Sequence, residues 1–221
     1  MGIWPVSKES KFNRILVVRW TGQLTDGLFQ SALASFVLFS PERAPDAVSA
    51  AVAFAVVLLP YSLIGPYVGT FLDRFSRQRI IRNANFFRAA NLLIIAALVS
   101  NGVSGVLLTF FVLLAFGINR LILAGLSAGL PLLVKKEELI AANALAVTGG
   151  TIFVVIGGGL GIAFKNLVDH INGADSADAA VILIAAVGFF IAALSTYRLK
   201  KFEIGPHEHE ISNEVRGYKE M

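Results

Sequence analysis

Two charges stand inside stretches that are otherwise apolar. Asp26 lies in "RWTGQLTDGLFQSALA" and Arg120 in "FGINRLILAGLSAGLP". An ionised side chain among apolar neighbours is costly unless it meets a partner or a water-filled cavity. Asp26 is therefore a candidate to bind a cation, accept a proton or pair with an internal base. Arg120 is the second coupling candidate, with Asn119 beside it. Arg19, nearer the start of the first apolar stretch, can snorkel its guanidinium to an interface. A further grouping, "GPYVGTFLDRFSRQRIIR", closes an apolar run with one acid and a burst of arginines. Gly65 and Gly69, four residues apart, let another helix approach closely. Asp73 follows with Arg74, Arg77 and Arg79, a set suited to ion pairing and helix capping rather than to covalent chemistry.

No nucleophile–base pair emerges from the chain, so an enzyme is not expected. There are no cysteines, and His170, His207 and His209 do not form a familiar zinc pattern, so no metal or cofactor is expected either.

The elements that must hold these charges are set by composition. Of 221 residues 56% are hydrophobic and 15% charged, with a mean hydropathy of +0.71. Ordinary globular domains carry about 25% charged residues, so the deficit points to lipid as the solvent. The formal charge of +4 is not a nucleic-acid footprint, because the basic residues flank apolar segments instead of lining one face. The polar start "MGIWPVSKESKFNR" does not read as a cleaved signal.

Six apolar segments are expected as transmembrane helices, at 15–39, 48–72, 84–99, 105–126, 139–164 and 179–199. A helix needs about 20 residues to cross the hydrocarbon. The third segment is short, and its helix is expected to start near Ile80 and carry Arg82 and Arg88 in its first turns. A cytoplasmic segment, 1–14, precedes the bundle of 15–199, and a flexible polar tail, 200–221, follows it. The longest internal loop is expected at "KNLVDHINGADSAD", where Asp175 and Asp178 read as a solvated loop and helix start.

Basic residues orient the bundle. Lys8, Lys11, Arg14, Arg74, Arg77, Arg79, Arg82, Lys135, Lys136, Arg198, Lys200 and Lys201 fall on one side, and only Arg43 and Lys165 in the opposite loops. The excess of Lys and Arg marks the cytoplasmic side and places both ends of the chain there.

With the spans in place, "GTFLDRFSRQRI" resembles the loop motif between helices two and three of the major facilitator superfamily of secondary transporters, G-x-L-A-D-R-x-G-R-K. Gly69, Asp73, Arg74 and Arg77 occupy its strongest positions, while Phe71, Ser76 and Gln78 depart from it. In that family the motif is associated with a cytoplasmic interlock released during alternating access. Arg120, followed by Gly125, resembles the family's helix-four arginine pattern, implicated in coupling in proton-driven exporters, at a spacing one residue longer than the common form. "NALAVTGGTIFVVIGGGLG" is similar to a loose version of the exporters' helix-five motif without its proline. Its glycines, Gly149, Gly150, Gly157, Gly158, Gly159 and Gly161, read equally as a tight helix-packing face.

The resemblance implies an all-α membrane protein, six helices forming the amino-terminal half of such a transporter and closest in pattern to bacterial efflux-type members. It implies a cytoplasmic-membrane location, a small-molecule substrate, the proton as coupling ion, and a second six-helix half in the same chain or another subunit. The different class of reading is a membrane assembly or regulatory subunit that carries no substrate.

Overall fold

A computed structural model describes residues 10–38 and 72–206. Among them the chain forms five long helices: α1 (Ser10–Leu38), α2 (Arg77–Ser100), α3 (Val106–Gly129), α4 (Leu139–Asn172) and α5 (Ala174–Ser195). They correspond to the first and the third to sixth expected segments. The second segment falls outside the described residues up to its last residue, Leu72, and Gly65 and Gly69 with it. The described part is all helical apart from turns.

The breaks between helices are chemically marked. Gly105 precedes α3 with φ +86°, and Gly173 stands alone between α4 and α5 with φ +83°, a left-handed region that glycine enters without a Cβ clash. Pro131 lies in the short 3-10 turn Leu130–Leu132 that closes α3. The loop expected between the fifth and sixth segments is therefore helix on both sides of one glycine. Nothing between Phe164 and Asn172 breaks a helix, and the polar residues there extend α4 instead of ending it. The third expected segment likewise starts earlier, at Arg77.

Four described stretches are long and apolar enough to cross a membrane: Arg77–Ser100, Val106–Leu132, Lys136–Asp169 and Ala174–Arg198. The 29-residue α1 is long enough, about 43 Å by rise per residue, but is not one of the four. Its apolar content is diluted by Arg19, Gln23, Asp26 and Gln30, which recur at i, i+4, i+7 and i+11 and so share one face.

Helix α1 packs along α4 and α5, while α2 packs along α5 and α3. Two apolar clusters result. One joins Phe29, Leu33 and Phe36 of α1 to Leu92, Ile95, Val112, Ala115, Ile182 and Phe189. The other joins Phe12, Ile15 and Leu16 to Ile81, Ile122, Leu126, Ala142, Leu199 and Ile204. The polar residues Asp26, Arg88 and Asn119 fall between them in the register of all three helices that carry them. Outward, Phe87, Phe110, Val155, Leu167 and Phe190 are exposed. In water such a surface would aggregate; in lipid it is the solvated face. Helix α4 is the most peripheral, with 17% of its apolar window buried against 44% to 50% in the other three.

Candidate functional site

The two apolar clusters enclose a charged layer. Asp26 is about 24 Å along α1 from Ser10, Arg88 about 17 Å along α2, and Asn119 about 20 Å along α3. Each is near the middle of its helix. The Arg88 side chain is fully buried, and that of Asp26 is 3% exposed. Arg88 Nη2 donates to Asp26 Oδ1, Arg88 Nη1 donates to Asn119 Oδ1 at 2.7 Å, and Asn119 Nδ2 donates to Asp26 Oδ2 at 2.9 Å. The three side chains form a closed ring. Gln30 Nε2 adds a donor to Asp26 Oδ2 at 2.8 Å, and the guanidinium carbon of Arg88 lies 4.1 Å from the Phe189 ring centroid. Each charge thus has its counter-charge beside it, the condition under which a buried ion pair persists.

Of the two predicted coupling residues, the structure brings Asp26 into this layer but not Arg120. Asn119 points inward and is buried, whereas Arg120, one residue and about 100° further round the helix, is exposed. The internal base that meets Asp26 is Arg88. Sequence reasoning placed Arg88 in the first turns of a later-starting helix and did not select it. Counted from Arg77 it is a mid-helix arginine, and that was the available signal.

A second buried pair lies toward the other end of α1. Lys165 Nζ is 2.9 Å from both carboxylate oxygens of Asp178 and also donates to Ser35 Oγ. Asp178, expected at a solvated loop and helix start, does stand at the start of α5 but is buried there, with its side chain 2% exposed. The one-glycine connection folds α5 back beside α4 and sets the two side chains against each other.

The loop motif is an interlock in geometry. Arg77 Nη2 donates to Asp73 Oδ1 at 3.0 Å, and Arg77 Nη1 donates to the carbonyls of Ala128 at 3.1 Å and Ile204 at 3.2 Å. Its backbone N–H donates to the Gly205 carbonyl. One arginine thereby ties the end of α3 to the segment beyond α5. Gln78 Nε2 donates to the Thr196 carbonyl and Arg14 Nη1 to that of Arg198, on the same side. Arg74 and Asp73 are exposed. Residues 200–206, expected as the start of a flexible tail, are held, with Ile204 fully buried against Gly129, and the rest of the expected tail lies outside the described residues.

The glycines of α4 divide by face. A methyl at Gly157 would overlap the carbonyl of Leu24, one at Gly161 would overlap Ser31 Oγ, and one at Gly149 would lie 2.6 Å from the Trp20 ring. Reciprocally, a methyl at Gly27 of α1 would overlap the Val154 carbonyl. These glycines let the two backbones touch. Gly150 and Gly158 stand at ordinary contact distance, and Gly159 faces open space. Among the described residues no group of three acids or histidines could hold a metal.

Apolar helices of membrane-spanning length around a buried charge layer define an integral membrane protein of the polytopic helical class. Two curated relatives place it more closely: the uncharacterized MFS-type transporters of Mycobacterium bovis and Mycobacterium tuberculosis, each 35% identical over 199 residues and 90% of this chain. Over that shared length the chain is similar to these MFS-type transporters, members by name of the family its loop motif resembles. The chain spans 44% of the length of these relatives. No family model matches it, and no solved structure matches it significantly.

Proposed function

We propose that the chain is the six-helix amino-terminal half of a proton-coupled secondary exporter of small molecules, working with a second half in a bacterial cytoplasmic membrane with both its termini cytoplasmic. The observation that carries the reading is the ring of Asp26, Arg88 and Asn119 in the middle of the bundle. The Asp26 carboxylate there is the counter-charge of the buried Arg88 guanidinium. Protonating it removes the counter-charge of a buried guanidinium, and the ring then loses the balance that makes its burial tolerable. A site whose charge state and packing are so linked biases a two-state structure by protonation, the basis of coupling a proton gradient to alternating access. The Arg77 interlock supplies a cytoplasmic contact that must open and close in that cycle.

The twelve-against-two distribution of basic residues supports the orientation. The relatives' name, MFS-type transporter, supports transport rather than a non-transporting subunit. Direct evidence would come from proteoliposomes holding the native-length protein, with a pH gradient imposed and a panel of lipophilic dyes followed. Gradient-driven dye movement in the native protein, abolished by Asp26→Asn, is the expected result. Movement unchanged by Asp26→Asn would overturn the role of the ring.

A further inference from the structure

The membrane interior of this chain has an imbalance of charge. Helices α2 and α3 contain no acidic residue, nor does the sequence from residue 48 to 71. In α1 the only acid is Asp26, and the acids of α4 and α5 lie within a few residues of the turn at Gly173. Against this single mid-bundle carboxylate stand three arginines, Arg19, Arg88 and Arg120. Arg88 is the one that neutralises it.

Arg19 is held differently. Its Nη1 donates to Ser127 Oγ at 3.2 Å, its Nε is buried without a hydrogen-bond acceptor, and it has no acidic partner among the described residues. Trp20 Nε1, on the next residue, is also a buried donor without an acceptor. Ser127 lies two turns along α3 from Arg120, so the two share a face, and both are exposed. Gln23 continues the α1 face one turn beyond Arg19. A strip with two guanidiniums cannot be turned to hydrocarbon, so it borders a water-filled path or a protein partner.

We propose that this strip of α1 and α3, centred on Arg19 and Ser127, is the wall of the substrate path that recognises an anionic group, a carboxylate or phosphate on the transported molecule. The inference rests on the transport reading above and adds the substrate's charge class. A guanidinium presents a planar fork of donors to such a group, which also supplies the counter-charge that a neutral or cationic compound lacks.

The test uses two xanthene dyes of similar shape and opposite charge, carboxyfluorescein and tetramethylrhodamine ethyl ester. Their equilibrium binding is measured on the native-length protein in phosphatidylcholine nanodiscs. Carboxyfluorescein is expected to bind about tenfold tighter or more, the size of one charge-assisted contact. Arg19→Gln should weaken it about tenfold and leave the cationic dye unchanged, while Arg19→Lys should keep part of the preference. Equal binding of the dyes, preference for the cation, or an Arg19→Gln variant that is folded and retains the full preference would overturn the proposal. So would loss of carboxyfluorescein binding when phosphatidylglycerol is added to the discs, which would make the strip a lipid headgroup site. Proteoliposome flux separates the two levels. An anionic dye that binds as expected but is not moved by a pH gradient sustains the anion site and sinks the transport reading. A cationic dye that is bound preferentially and driven by the gradient does the reverse.

Discussion

Removing either member of the Asp26–Arg88 pair should cost far more than removing both. Asp26→Asn keeps the shape of the side chain and leaves the buried Arg88 guanidinium without the Asp26 counter-charge. Arg88→Met leaves the carboxylate with Asn119 and Gln30 as donors and no cation. Breaking a buried pair from one side costs about 3–5 kcal/mol, whereas replacing it whole is often close to neutral. For a chain of this size 1 kcal/mol moves the midpoint by about 2–4 °C, so each single variant should melt roughly 6–20 °C lower in detergent. The double variant Asp26→Asn/Arg88→Met should recover at least half of the sum of the two losses. Thermal unfolding followed by tryptophan fluorescence, on four proteins in parallel, measures this cycle. Losses below about 1 kcal/mol for each single change, or strictly additive losses in the double, would refute the view that these charges stabilise one another.

Other outcomes follow from the same geometry. Gly157→Ala should destabilise by about 1–3 kcal/mol, because the added methyl meets the Leu24 backbone, while Gly159→Ala, which meets nothing, should be neutral or slightly stabilising; both are read from melting midpoints. Arg77→Ala removes the side-chain ties to Asp73, Ala128 and Ile204, so trypsin should cut at Lys200 and Lys201 about fivefold faster or more, and an unchanged rate would show that the segment is held without the Arg77 side chain. Lys165→Met should cost roughly 3 kcal/mol by stranding Asp178, with Lys165→Met/Asp178→Asn closer to the native midpoint.

Much of this arrangement is legible in the residues. Apolar length marks the helices, because the backbone in lipid must satisfy its own hydrogen bonds and a long apolar run has no other solution. Asp26 stands out because an acid in such a run is expensive. The glycines at Gly149, Gly157 and Gly161 recur at multiples of four and announce a contact face, although the partner, α1 with its own Gly27, is a matter of tertiary packing. Arg88 was obscured by a helix start placed too late, since polar Gln78, Arg79 and Arg82 dilute the first turns of α2 while Arg77 anchors them. Asp178 was obscured because polar residues on both sides of Gly173 imitate a loop when no partner is in view. The choice between Asn119 and Arg120 depends on the rotation of α3, and composition carries no information about that rotation.

Under the transport reading proposed above, the charge state of Asp26 governs the conformation of the bundle. The chain has no native cysteine, so a single Ser127→Cys reports cleanly on access to the strip beside Arg19. Its alkylation by a membrane-impermeant maleimide should be measured across a pH series in the otherwise native protein and with Asp26→Asn added, the latter correcting for the pH dependence of the thiol itself. The expected result is a pH-dependent change in accessibility that Asp26→Asn removes and Asp178→Asn leaves in place. The same pH profile with and without the Asp26 carboxyl would contradict it.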